Sequence, residues 1–227
     1  MNSRAVVNIP GNGYNHLYCF KGNKYAKIDW TIDYADQHVS SAPSEFTRDW
    51  ASLEEVGFTH IDAILPTSGS EHKAYCFSGS RCVCIGFTPG GGEDRIYGSV
   101  RSITEGWKSL AKAGFDRVDA ALLVPDSKDQ AYFFNGGRYC RVAFREGMTS
   151  EDVLLDGPKP ISEGWSAIPF SFIDGIFLEP RSSTKLCVFS GSKCAKVLIT
   201  EDGRQTLVAG PTDIAHDWPS LRDAGMC

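Results

Sequence analysis

The sequence predicts an all-β chain with short helices, arranged as a four-bladed β-propeller around a central channel. Three observations carry this. A short aromatic–apolar–Gly-turn–basic stretch occurs four times: Tyr18-Cys19-Phe20-Lys21-Gly22, Tyr75-Cys76-Phe77-Ser78-Gly79, Tyr132-Phe133-Phe134-Asn135-Gly136 and Cys187-Val188-Phe189-Ser190-Gly191, at steps of 57, 57 and 55 residues. Four copies fill the 227 residues, and a fixed period of that size marks a repeat architecture. Each copy reads as strand, hairpin, outer strand, helix, and four strands in each of four repeats give a small propeller.

The elements follow in order within each repeat. The first strand is short and apolar on both faces, as in 61–66, 118–123 and 173–178, which is the pattern of a strand buried on both sides. An aspartate stands in each: Asp62, Asp119 and Asp174. In the first repeat Arg4 takes that place, with Arg4 to Pro10 matching Asp119 to Pro125. The hairpin follows, its turn at Gly-X and its third strand opening on a basic residue (Lys24, Arg81, Arg138, Lys193). Placing the turn there sets Cys19 opposite Ala26, Cys76 opposite Val83, Tyr75 opposite Cys84 and Phe133 opposite Cys140. A short outer strand then runs into Gly-Ser or Gly-Pro, and a helix begins. Ser102 and the 161–163 stretch read as helix N-caps with an acid in the first turn. Each helix carries one Trp (Trp50, Trp107, Trp165, Trp218), expected as a core wedge between blades. Gly57 and Gly114 are expected to stop their helices. The Trp-to-Asp spacing is 12, 12 and then 9 residues, so the third connection is shorter. The blades are placed at about 1–57, 58–114, 115–170 and 171–227 of one domain.

Composition bounds the function classes. The chain is 42% hydrophobic and 22% charged with a formal net charge of −5, and no Lys/Arg run exceeds two residues. That argues against a surface for nucleic acid. No apolar run approaches the ~20 residues of a membrane span, and the N-terminal stretch lacks the apolar core of a secretory signal, so cytoplasmic residence is expected. None of the eight cysteines faces another across a hairpin. They are expected to be reduced apolar fillers, and the Cys82-Val83-Cys84 pair offers too few ligands for zinc.

Catalysis finds little support. Five His are present, but no Gly-X-Ser-X-Gly elbow and no His-Glu-X-X-His. Gly90-Gly91-Gly92 lacks the Lys and Ser/Thr of a phosphate loop and reads as a blade-edge turn. Trp30, the one Trp outside the helix series, is expected in the core rather than as a sugar platform. His60, two residues before Asp62, reads as a solvated loop residue whose sister positions hold Arg117 and Phe172.

The recurring Asp-Ala (Asp62-Ala63, Asp119-Ala120), the Tyr-X-Phe-X-Gly hairpin, the Gly-Pro-X-X-Ile of 157–161 and 210–214, and the Trp helix together resemble the hemopexin repeat, in all four copies. The stand-alone form resembles the cytosolic seed albumins of legumes, the pea-albumin-2 group, with fungal hemopexin-type lectins as a second kin. The resemblance implies an axial cation such as calcium at the Asp-Ala position, held by main-chain carbonyls of Arg4, Asp62, Asp119 and Asp174; hard cations take oxygen ligands. Arg4 departs from the pattern and weakens a divalent site unless its side chain swings to an Asp. The alternative is that the three carboxylates cap loops or pair with Arg4. The resemblance also implies a small ligand, haem or a polyamine, with His60 the weak haem candidate and a storage role open. A carbohydrate-binding lectin is the competing expectation. No first-to-last-blade disulfide is available, so closure is expected from packing and strand pairing. A monomer or a homodimer is equally compatible.

Overall fold

The computed structural model describes residues 4–9, 14–32, 36–69, 72–88, 93–180, 182–200 and 204–227. Gly90-Gly91-Gly92 and Pro10 lie outside these residues. The first blade is β1 (Arg4–Ile9), β2 (Asn15–Lys21), β3 (Lys24–Trp30) and β4 (Gln37–Glu45), followed by α1 (Phe46–Asp49) and α2 (Ala51–Glu55). The second is β5 (Ala63–Pro66), β6 (Lys73–Ser78), β7 (Arg81–Gly86) and β8 (Arg95–Ser102), with α3 (Ile103–Gly106) and α4 (Lys108–Lys112). The third is β9 (Ala120–Leu123), β10 (Gln130–Asn135), β11 (Arg138–Ala143) and β12 (Val153–Pro160), with α5 (Ile161–Gly164). The fourth is β13 (Gly175–Leu178), β14 (Lys185–Ser190), β15 (Lys193–Ile199) and β16 (Gln205–Asp213), with α6 (Ile214–Asp217) and α7 (Pro219–Asp223). Each sheet pairs four consecutive strands antiparallel. The inner strands β1, β5, β9 and β13 contact one another around the axis, β1 meeting β13 at the seam.

The hairpin register is the one expected: Cys19 faces Ala26, Cys76 faces Val83, Tyr75 faces Cys84 and Phe133 faces Cys140. All eight cysteines are free. Burial pushes the thiols of Cys19 and Cys140 up to about 12, against Arg4 near Cys19 and with Asp152 near Cys140. Such thiols stay protonated at neutral pH and act as apolar fillers.

Four apolar cores lie between neighbouring blades rather than within them. The core between blades two and three joins Leu65, Phe77, Trp107, Leu110, Phe133 and Val142, all essentially inaccessible. A four-stranded sheet has two apolar faces and can bury both only by stacking, which is why the period produces a ring. Trp107 meets Tyr75, Phe133 and Phe144 at centroid distances of 5.1, 5.0 and 5.2 Å, the edge-on and tilted geometry aromatic rings prefer.

Three expectations need correction. The Trp residues are not inside one helix. Trp50, Trp107 and Trp218 each stand between two short helices, with φ near −125° to −133°. The extended residue lets the chain turn while the indole drops into the inter-blade core. In blade three the second helix is missing after Trp165, which accounts for the shorter spacing. The outer strands are also longer than expected. β12 and β16 continue through Gly-Pro to the helix, with bulges opposite Arg141 and Lys196. Gly157 needs its glycine there: φ is +86°, and a Cβ would fall 2.7 Å from the Tyr139 carbonyl oxygen. Finally, among the described residues closure uses no strand exchange, since every sheet is built from consecutive strands. The seam is closed by packing of Trp30, Phe177, Trp218 and Leu221 and by side-chain hydrogen bonds. Gln37 Nε2 donates to the Asp217 carbonyl at 2.9 Å, Ser220 Oγ donates to Gln37 Oε1 at 3.0 Å, and Lys21 donates to the Cys227 carbonyl.

Helix signals divide. Ser102 caps α3 by accepting from the Glu105 N–H at 3.2 Å. The cap of α5 is Pro160, without a side-chain bond. Gly57 and Gly114 end their helices at φ +66° and +70°. Trp30 is fully buried in the seam, its indole N–H donating to Asn8 Oδ1 at 2.9 Å.

Candidate functional site: the axial bowl

Asp62, Asp119 and Asp174 stand just before the inner strands, at one end of the channel. Each faces the turn of its own hairpin. The turn glycines sit at φ of +56° to +59°, a conformation that aims their N–H groups at the preceding carboxylate. Asp62 Oδ2 accepts from the Gly79 N–H at 2.7 Å, Asp119 Oδ2 from the Gly136 N–H at 2.6 Å, and Asp174 Oδ2 from the Gly191 N–H at 2.8 Å. The three carboxylates therefore cap loops.

Each also has a basic neighbour. His60 Nε2 lies 3.4 Å from Asp62 Oδ2, and Arg117 Nη2 lies 3.0 Å from Asp119 Oδ1. Arg4 Nη1 lies 3.6 Å from Asp174 Oδ1 and donates to the Gly191 carbonyl at 2.8 Å. Arg4 is 4% exposed. It crosses the seam from blade one to blade four, the swing to an Asp that the sequence left open. Burial pushes the Asp174 carboxyl up, with Arg4 and the Gly191 N–H pulling it back down.

Around these groups lies a bowl of about 840 Å³, lined by His60, Asp62, Arg117, Asp119, Phe172 and Asp174 together with the turn glycines. Phe172 is 40% exposed and its ring lies beside Gly191, where a Cβ would meet its Cζ at 3.7 Å. Arg117 and Phe172 were legible only as sister positions of His60. Stacking the repeats shows a mouth column of His, Arg and Phe two residues before each Asp, and that variation within a regular frame was the available signal.

The carboxylates fit a calcium ion poorly as direct ligands. One oxygen of each is held by a turn N–H, and a guanidinium, which has no lone pair to offer, occupies the fourth station. Among the described residues no group of three or more His, Cys, Asp or Glu side chains is placed to hold a metal. His60 has both ring nitrogens near partners, Nδ1 at 3.2 Å from Thr59 Oγ1 and Nε2 beside Asp62.

Four four-stranded sheets closing around an axial bowl, with glycine turns capped by Asp, define a four-bladed propeller of the hemopexin fold. A hemopexin-fold protein from cow pea superposes with a TM-score of 0.82 at 22% identity, covering 98% of this chain and 97% of its own. In sequence the chain is 25% identical over 217 residues to Albumin-2 of Lathyrus sativus, 92% of each protein. It is a hemopexin-fold protein similar to the legume Albumin-2 proteins. A solved plant lectin with two metal-binding sites from Cicer arietinum superposes with a TM-score of 0.82 at 23% identity, over 98% of this chain and 96% of its own. No model of a known protein family matches the chain.

Proposed function

We propose that the chain is a non-catalytic binding protein of the albumin and lectin kind, and that a small polyhydroxylated ligand sits in the axial bowl. The observation that carries this is that exposed Phe172 and an Arg117–Asp119 pair line one cavity of about 840 Å³. An aromatic face takes the apolar side of a sugar ring, and a guanidinium–carboxylate pair offers donors and acceptors to neighbouring hydroxyls. Support comes from the Cicer arietinum relative, described as a lectin. Haem and polyamines are served less well: His60 is engaged with Asp62 and Thr59, and the bowl's acids already have basic neighbours.

The test is calorimetry with a panel of neutral hexoses. Phe172→Ala is expected to weaken the best ligand at least tenfold while the melting temperature stays put. Equal binding by wild type and variant places the ligand elsewhere. For calcium, the axial cation expected on the main-chain carbonyls of Arg4, Asp62, Asp119 and Asp174 is checked by thermal melting, and a melting temperature that calcium and EDTA leave within about 1 °C counts against it. A rise of several degrees with calcium supports it. Eight free thiols suit a reducing compartment, and cytoplasmic residence is part of the proposal, checked by fractionation.

A further inference from the structure

The four stations of the bowl are not alike, and the odd one states what is missing. The stations are equivalent by register: Ala5 faces Phe20 as Ala63 faces Phe77, Ala120 faces Phe134 and Gly175 faces Phe189. Arg4 therefore occupies the place of Asp62, Asp119 and Asp174, and Gly22 that of Gly79, Gly136 and Gly191. In three blades the glycine N–H is taken by a carboxylate, and those glycines are half-buried. In blade one no carboxylate of the described residues reaches Gly22, which is exposed and lines the bowl.

Positive charge has gathered at the same place. Arg4 lies below with its Nε buried and without a hydrogen-bond partner. Lys21, donating to the Cys227 carbonyl, is the next residue to Gly22. Two of the bowl's three carboxylates have a guanidinium beside them, Asp119 that of Arg117 and Asp174 that of Arg4, and Asp62 lies 3.4 Å from the His60 ring. An arriving anion thus meets a glycine N–H that no described carboxylate caps, with Lys21 preceding it and Arg4, already shared with Asp174, facing Lys21 across the strand pair.

We infer that the ligand of the bowl carries a carboxylate, which docks on the Gly22 N–H beside Arg4 and Lys21 and completes the ring of four. A hydrogen bond from a backbone N–H to a carboxylate is charge-assisted, and Arg4 strengthens it from a site with little water. The chemical class is a sugar acid such as a uronate, with Phe172 under the ring and the carboxylate at blade one. This rests on the bowl reading above.

The experiment is a titration of ¹⁵N-labelled protein with glucuronate, its methyl ester and acetate, followed at the glycine amides and by calorimetry. Glucuronate is expected to move the Gly22 resonance and to bind about tenfold tighter than the ester, the gain typical of one charged hydrogen bond. The Gly79, Gly136 and Gly191 amides, already capped, move far less. Acetate moving Gly22 as far as glucuronate does, at equal concentration, supports the carboxylate dock but removes the sugar from it. Arg4→Asp supplies the missing carboxylate and is expected to abolish the preference for glucuronate over the ester. Arg4→Met, which removes the charge without capping Gly22, is expected to reduce it. Amide dispersion reports that each variant folds. Equal binding of glucuronate and ester, or a stationary Gly22 amide, overturns the inference. If the ester still binds and Phe172→Ala weakens it, the bowl reading survives alone. If no sugar binds at all, both fall.

Discussion

Single residues in this propeller differ less in type than in what they face. Asp29 illustrates it. Burial alone would lift its carboxyl, but the His16 ring at 2.7 Å, the Ser40 hydroxyl at 2.8 Å and the Lys27 ammonium at 3.4 Å outweigh it and hold it below the usual carboxylate range. Native Asp29 then binds fewer protons than the unfolded chain. Its stabilisation is full above the unfolded value, about pH 4, and is lost as pH falls through the lower native value. Asp29→Asn is expected to cost about 1 kcal/mol at pH 7, a gap that closes on acidification; urea titrations of both proteins from pH 7 to pH 3 measure it. The bowl acids show the same dependence on partners. Asp62, Asp119 and Asp174 were visible as a column, but their commitment to Gly79, Gly136 and Gly191 was not, since a carboxylate seventeen residues from a turn glycine reaches it only once the hairpin folds.

Elements are held by their neighbours in the ring. Helices of four or five residues have no independent stability. Two of them, α2 and α4, are capped by acids from the next blade: Asp94 accepts from the Ser52 N–H at 3.0 Å, and Asp152 accepts from the Ser109 N–H at 3.0 Å. The Trp beside each such helix drives the same junction into the core. Trp107→Ala is expected to destabilise the protein by about 3–5 kcal/mol, the range for emptying a large aromatic from a core. Guanidinium denaturation checks this, and a loss under 1 kcal/mol is incompatible with a closely packed junction. Sequence spacing located these Trp residues and the short third connection, which the structure explains by the absence of a second helix after Trp165. Their position between helices escaped it, because apolar residues three and four apart look the same across a break as along one helix.

The described residues form a ring closed without a disulfide or strand exchange. Buried thiols belong to the inter-blade cores, whereas Cys84 and Cys227 are half-buried. Ellman's reagent is therefore expected to label at most these two of eight thiols quickly in the native state, and all eight after unfolding. Fast native labelling of four or more means that the seam opens readily. The seam is the natural place for this, since Gln37, Ser220, Lys21 and Arg4 hold it with hydrogen bonds where other blades are joined by a continuous chain.

By itself the sequence determined the repeat, the hairpin register, the blade count and the inter-blade burial of the Trp residues. All follow from local periodicity and from the need of a two-faced sheet to bury both faces. Only the tertiary structure decided the long bulged outer strands, the broken helices and the seam, which depend on contacts between residues far apart in the chain. It decided the bowl as well. Arg4 stood out from its three Asp counterparts in the sequence, but where a guanidinium points depends on what lies across the seam. It turned to Gly191 and Asp174 in blade four, and in doing so left the Gly22 station of the described bowl without an acid.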